Sequence, residues 1–312
     1  METILEEQKK TQFNPQSLEN GKDVTCFVLL ENNNLNLQTK VYNLEICGKS
    51  VLSWVTRACP TRPIVLEKLN GDSVIETIRP YLTSSEYTLV LFADTPLMTR
   101  SNINGIMDFV ATRGLNVCKL TRGYVFRTEY IKRVGEIYTP QTYYFEEEDF
   151  MMVSSLSQLS IIADIMKNRI LSYHMNNGVI FKDAATTFIS GDACIGKGTV
   201  VEGCTCLYGK IIIGENCKIG AGSKLENARI FDNTKIGSAI IKNSVVKENC
   251  EIGENVVIEK SCMVKENCTL LNNIVLSGVV IEENSKIENG KIIVKQSHKK
   301  ASSREMLAFI IV

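Results

Sequence analysis

Through the first half of the chain, short apolar runs alternate with stretches whose apolar residues recur at three- and four-residue intervals. In the second half both give way to a six-residue interval. "VTCFVLL" (24–30) and "YTLVLFAD" (87–94) read as strands, and their consecutive aliphatic residues fit strands buried on both faces of a parallel sheet. "PIVLEKL" (63–69) reads as a further strand. "KSVLSWVTRA" (49–58) and "DSVIETIRPYL" (72–82) carry helical spacing, and "SNINGIMDFVATRG" (101–114) has an N-cap candidate at Ser101 and a stop at Gly114. The longest helix candidate, 157–177, aligns Leu159, Ile162, Ile165, Met166, Ile170 and Tyr173 on one stripe and stops at Gly178. Strands alternating with crossover helices predict an α/β domain over 21–156, followed by a linking helix over 157–178.

From Ile189 an aliphatic anchor returns every six positions: Ile195, Val201, Leu207, Ile213, Ile219 and Leu225. After short slips the series resumes at Ile230, Ile236, Ile241 and Val246 and runs on to Ile293. Four positions after most of the early anchors stands a small residue: Ala193, Thr199, Thr205, Cys217 or Ser223. This hexapeptide repeat predicts a parallel β-helix over 179–296, each unit supplying one short strand and one tight corner, with three units closing a coil. The anchors suffice for about six coils, a prism roughly 30 Å long at a strand spacing of about 4.8 Å. Residues 1–20 read as a flexible N-terminus and 297–312 as a C-terminal tail. The tail's apolar "MLAFIIV" falls far short of the roughly 20 residues that span a bilayer, and is expected to pack against the body or a neighbouring subunit.

A chain of 312 residues, 44% hydrophobic and 22% charged, has ordinary globular composition and is long enough for two cores. Its 35 basic and 35 acidic residues balance, so there is no overall field to hold nucleic acid or an anionic membrane. The start, "METILEEQKKTQ", lacks the basic and apolar regions of a secretory signal, and the eleven cysteines include no CxxC pair. Both features point to a reducing cytoplasm. Cys217, Cys250, Cys262 and Cys268 fall at small corner positions and read as packing residues rather than metal ligands.

Asp94 closes a buried strand and is followed by Thr95 and Pro96. Open α/β sheets bind ligands at such carboxyl ends, so Asp94 is a candidate for handling metal or phosphate; the alternative is a carboxylate that only caps the turn. With the linking helix and "HMNNGVIFKDAATTFISGDACIG" (174–196), the stretch "LVLFADTPLMT" (89–99) resembles the bifunctional UDP-N-acetylglucosamine pyrophosphorylase/glucosamine-1-phosphate N-acetyltransferase family, a likeness covering most of 24–293. The resemblance implies a Rossmann-like nucleotidyltransferase-type domain followed by a left-handed parallel β-helix that forms homotrimers, and a Mg²⁺ at the nucleotide site.

In that family a strand-end aspartate and an asparagine hold the metal. Asp94 matches the first position, while Ser154 in "MVSSLSQL" (152–159) stands at the second. Lys40 matches the lysine that touches phosphate, Gly71 the base-recognition segment, and Thr95 adjoins Asp94 on the substrate side. The glycine-rich phosphate loop corresponds here to "LLENNNLNLQTK" (29–40), which lacks both glycines, carries Asn32, Asn33 and Asn34, has Asn36 at the arginine position, and adds the negative charge of Glu31. "RGYVFRTEY" (122–130) is what remains of the sugar-contacting region. Acetyl transfer in the family resembles general-base catalysis by a histidine between prisms. This chain has only His174, expected to be a partly exposed linker residue, and His298 in the tail. Three functions stay open: a divergent nucleotidyltransferase joining a nucleoside triphosphate to a sugar 1-phosphate, a non-catalytic sugar-nucleotide sensor, and a trimeric β-helix scaffold.

Overall fold

A computed structural model of the chain describes residues 23–31, 39–68, 72–135, 143 and 147–295. The asparagine run 32–34, Asn36, Gly71, His298, the N-terminal segment 1–20 and the "MLAFIIV" tail lie outside the described residues. The described chain separates into two units between Met166 and Lys167.

The first unit is built on a five-stranded sheet. In chain order its elements are β1 (Val24–Glu31), the two-residue pair β2 (Glu45–Ile46) and β3 (Lys49–Ser50), α1 (Val51–Ala58), β4 (Ile64–Lys68), α2 (Val74–Ile78), β5 (Tyr87–Phe92), α3 (Arg100–Thr112), β6 (Val117–Leu120), β7 (Gly123–Arg127) and α4 (Thr128–Arg133). The sheet order is β4-β1-β5-β7-β6. β1 lies parallel to both β4 and β5, as the apolar runs predict. All six residues of β5 are buried, because alternate side chains feed two cores: Leu89 and Leu91 pack with Ile103, Ile106 and Val110 on one face, and Val90 and Phe92 with Ile75, Ile78 and Ile131 on the other. The expectation of a wholly parallel sheet is corrected at its far edge, where β6 and β7 form an antiparallel hairpin and β7 runs antiparallel to β5.

α1 and α2 start later than their spacing alone indicates, and α3 starts earlier. Lys49 and Ser50 pair with β2, and Ser50 Oγ accepts the Ser53 amide to open α1. The Ser73–Glu76 capping box opens α2, which gives way to a 3-10 turn at Arg79–Tyr81, where Pro80 has no amide to continue the α-helical ladder. For α3 the N-cap is Thr99, not Ser101: Thr99 Oγ1 accepts the Asn102 amide, and Asn102 Oδ1 accepts the Thr99 amide at 2.9 Å.

The helix α5 (Leu156–Asn176) runs from the first unit into the second. The second unit is a left-handed β-helix of about six turns over residues 180–294. The six-residue anchors form its three stacks, each bonded coil to coil in parallel register. Ile195, Ile213, Ile230, Val246, Val264 and Ile281 make one stack; Val201, Ile219, Ile236, Ile252, Leu270 and Ile287 the second; Ile189, Leu207, Leu225, Ile241, Ile258, Leu276 and Ile293 the third. Every anchor from Ile189 to Ile281 is buried.

The small corner residues have a chemical reason beyond size. Thr199 Oγ1 donates to Gly214 O (2.8 Å), Ser223 Oγ to Gly237 O (2.7 Å), Cys217 Sγ to Phe231 O (3.1 Å) and Cys250 Sγ to Lys265 O (3.0 Å). Each satisfies a carbonyl of the following coil that the strand ladder leaves over. Stacking also demands glycine where coils touch: a Cβ on Gly237 would lie 2.8 Å from Gly253 O.

His174 is not partly exposed. It is fully buried near the end of α5, its ring 5.3 Å edge-on from Tyr173. Neither ring nitrogen makes a hydrogen bond of normal geometry. Burial drives its pKa down to about 4, and the nearby Ala193 main chain offsets only part of that. Because the folded pKa lies below the usual value of about 6.5, the unfolded chain takes up a proton first as the solution is acidified. Stability is therefore full above pH 6.5 and falls as the pH drops towards 4, by about 3 kcal/mol in all. Urea unfolding across this window should show that loss, and His174→Leu should flatten it; an unchanged slope in the variant contradicts the assignment.

Candidate functional site

β4, β1 and β5 end side by side, and the β6–β7 hairpin brings its two-residue turn, Thr121 and Arg122, to the same edge. Gly123 makes this possible. Its φ of +138° lies outside the range ordinary side chains favour, and a Cβ there would stand 2.6 Å from Val90 O. The tight contact of β7 with β5 aims Arg122 across the strand ends.

There it meets Asp94, which is only 5% exposed. Arg122 Nε donates to Asp94 Oδ1 (3.2 Å) and Nη2 to Asp94 Oδ2 (2.6 Å), a two-pronged grip. Nη2 also donates to Glu31 Oε2 (2.5 Å), and Lys68 Nζ lies 3.2 Å from Glu31 Oε1. The guanidinium sits 3.9 Å from the centroid of the Phe92 ring, which adds a cation–π contact. Lys68, Glu31, Arg122 and Asp94 thus form a chain of alternating charges across four strand ends. Burial opposes ionisation of Glu31, but the hydrogen bonds and charges of Arg122 and Lys68 outweigh it and hold the carboxyl below its ordinary value. Burial likewise disfavours the Arg122 cation, and Asp94 and Glu31 more than compensate.

The other candidate residues distribute around this network. Thr95 is fully buried, and its Oγ1 donates to Phe92 O at 3.2 Å, closing the turn after β5. The segment holding Ser154 does run beside Asp94, through a main-chain bond from Val153 N to Asp94 O (2.9 Å), while Ser154 itself is exposed. Lys40 is half-buried and caps a short turn at Val41–Asn43. Val41 and Tyr42 from that turn, with Glu31, Ala93 and Asp94, line a cavity of about 10 Å³. That is room for one water.

Arg122, the central cation, was not singled out as a site residue by sequence. Its only signal is a basic residue before glycine in a two-residue turn. Among the described residues no group of three or more His, Cys, Asp or Glu is placed to hold a metal ion, and no helix is long and apolar enough to cross a membrane.

The chain's residues 177–261 match the family described as "GlmU-like, C-terminal hexapeptide". The chain is similar to proteins named "Bifunctional protein GlmU". The relative from Clostridioides difficile (strain 630) is 35% identical over 139 residues, 45% of this chain and 30% of that protein. The relative from Caldanaerobacter subterraneus subsp. tengcongensis is 39% identical over 142 residues, 46% of this chain and 31% of that protein. The relative from Enterococcus faecalis is 37% identical over 106 residues, 34% and 23% respectively. The matched stretches thus span less than a third of each of these relatives. The resemblance drawn from the junction and the repeats is borne out.

The network makes a quantitative demand. Arg122→Ala takes the guanidinium away from a buried carboxylate, and breaking such a pair costs about 3–5 kcal/mol when it is fully enclosed. With Arg122 and Glu31 each about a fifth exposed (21% and 22%), solvent screening reduces the expected loss to about 2 kcal/mol. Adding Asp94→Asn to Arg122→Ala should restore part of it in urea unfolding; additive losses in the double variant contradict the pairing.

Proposed function

We propose that the chain is a non-catalytic, GlmU-like protein of sugar-nucleotide metabolism, a cytoplasmic scaffold whose β-helix assembles three copies and whose nucleotidyltransferase-like domain does not transfer nucleotides. The observation that carries this reading is the two-pronged grip of Arg122 on Asp94. In the resembled family the strand-end aspartate binds Mg²⁺, which neutralises the phosphates as the sugar phosphate attacks. Here a guanidinium of the same chain takes up both carboxylate oxygens. A Mg²⁺ ion would have to displace Arg122, and Ser154 offers a neutral hydroxyl in place of the second family ligand. Loss of the loop glycines removes the bare main chain that would cradle a triphosphate. Several missing donors together weigh heavily, since a single lost oxyanion donor costs about 10²–10³ in rate.

Two further observations support the scaffold part. One face of the β-helix turns Ile212, Val245, Met263 and Val280 outward in a column interrupted by Arg229, an apolar strip suited to a neighbouring prism. All eleven cysteines are free thiols, in keeping with a reducing compartment. Acetyl transfer is not part of the proposal: His174 is sealed in the fold, and no other histidine lies in the repeats.

A second reading, a sugar-nucleotide sensor, draws on the partial exposure of Arg122 and Glu31, which leaves the network open to an incoming phosphate. One set of assays separates the readings. The purified chain with UTP, N-acetylglucosamine 1-phosphate and Mg²⁺ should release no pyrophosphate above background, and its melting temperature should not move with UDP-N-acetylglucosamine. A shift without turnover favours the sensor, since a ligand at 100 times its Kd adds about 2.7 kcal/mol. Sustained Mg²⁺-dependent pyrophosphate release refutes both.

A further inference from the structure

Two thiols meet inside the first unit, away from the Asp94 network. Cys26 belongs to β1 and is 1% exposed; Cys59 directly follows α1 and is 2% exposed. Their side chains hydrogen-bond to each other. The Cys59 S–H has two acceptors in reach, the Cys26 sulfur and Val55 O (3.5 Å). Arg100 Nη2 donates to Cys59 O (2.7 Å) and Pro60 O (2.6 Å), which holds the Cys59 main chain in place and keeps the two sulfurs opposed.

On the solvent side stands Thr61. Its Oγ1 lies 3.3 Å from the Cys26 sulfur and 3.2 Å from Val24 O, so its one proton is shared between two acceptors. Thr61 is exposed, and with Cys59 it lines a concavity of about 470 Å³ between the end of α1, the loop 59–63 and the start of α3. Surroundings also set the two sulfurs apart chemically. Burial pushes the thiols of Cys118, Cys194 and Cys250 up to about 11. Cys26 moves the other way, to about 7, because the hydrogen bond from Cys59 outweighs burial, with Thr61 and the charge of Arg100 adding to it. Cys59 keeps its proton, held up by that same hydrogen bond and by burial. Near neutral pH the pair therefore offers a thiolate with a thiol set against it.

We propose that Cys26 and Cys59 form a peroxide-responsive pair that closes to a disulfide between β1 and the end of α1. Exposed side chains change rotamer within nanoseconds, and rotation of Thr61 opens the Cys26 sulfur to a molecule as small as hydrogen peroxide. The Cys26 thiolate attacks one peroxide oxygen; the O–O bond breaks, an S–O bond forms, and hydroxide leaves to take up a proton as water. Cys59 then attacks the sulfur of the Cys26 sulfenic acid. The S–S bond forms at about 2.05 Å, the S–O bond breaks, and the Cys59 proton leaves with the oxygen as a second water. Two thiols lose two electrons and one peroxide gains them. This site goes beyond the proposed function and depends on neither Asp94 nor the β-helix.

Peptide mapping of the full chain tests the pair. After hydrogen peroxide treatment and blocking of remaining thiols, tryptic peptides 23–40 and 58–68, each with one cysteine, should appear joined and should separate on reduction with dithiothreitol. The rate of joining should rise through pH 7 as Cys26 ionises, a dependence that mere packing would not produce. In Cys59→Ala, checked for folding by circular dichroism, the joined species should vanish and dimedone should label Cys26 as its sulfenic acid. If that variant does not fold, the map of the unaltered chain still decides. Oxidation confined to cysteines such as exposed Cys204, with peptides 23–40 and 58–68 recovered separately, overturns the proposal. So does a link that forms only in urea.

Discussion

A carboxylate buried at the end of a strand must have a counter-charge, and in this chain the counter-charge is covalently part of the fold. Asp94 cannot be left bare in a site from which water is largely excluded, because an unpaired buried charge is among the costliest defects a protein can carry. The resembled family meets the requirement with a divalent ion that also serves the reaction. Here the β6–β7 hairpin brings a guanidinium to the same place, Phe92 supports its face, and Glu31 and Lys68 extend the alternation of charge across the sheet edge. The site becomes a structural clamp joining four strand ends. A cavity of about 10 Å³ is what the described residues leave beside it.

The β-helix rests on a different constraint, repetition. Each coil buries its anchors only against the coils above and below, so the six-residue spacing has to persist along the whole chain of coils. The corner residues show how strictly chemistry follows geometry there. Threonine, serine and cysteine are all small enough for the corner, and each also donates to a carbonyl of the next coil. Asparagine fills the left-handed corner positions, as at Asn233, Asn249, Asn267 and Asn284, because its side chain tolerates that conformation. The corner cysteines Cys217, Cys250 and Cys268 are therefore accounted for by packing and hydrogen bonding.

What could be read in the sequence was whatever depends on local spacing. The anchors, the small corners, β1, β5 and the long helix all follow from periods that a linear chain displays. What could not be read depends on partners brought together from a distance. Arg122 and Glu31 are 91 positions apart, and nothing near either residue announces the other. The antiparallel hairpin escaped because its turn, Thr121-Arg122, lacks the usual Asn-Gly or Asp-Gly signal. The N-cap of α3 fell to Thr99 rather than Ser101 because Asn102 closes a reciprocal pair with Thr99. His174 misled because it stands in the linking helix ahead of the repeats, while its burial involves residues that follow, in the region of Val179 and Ala193.

The claim on which the functional account turns is that Arg122 replaces a metal ion at Asp94. Titration of the purified chain with Mn²⁺, followed by electron paramagnetic resonance of the free ion, tests it most directly. The account predicts that the spectrum of free Mn²⁺ grows in proportion to the metal added, with no tight site to be filled. Stoichiometric Mn²⁺ binding that disappears in Asp94→Asn would contradict it.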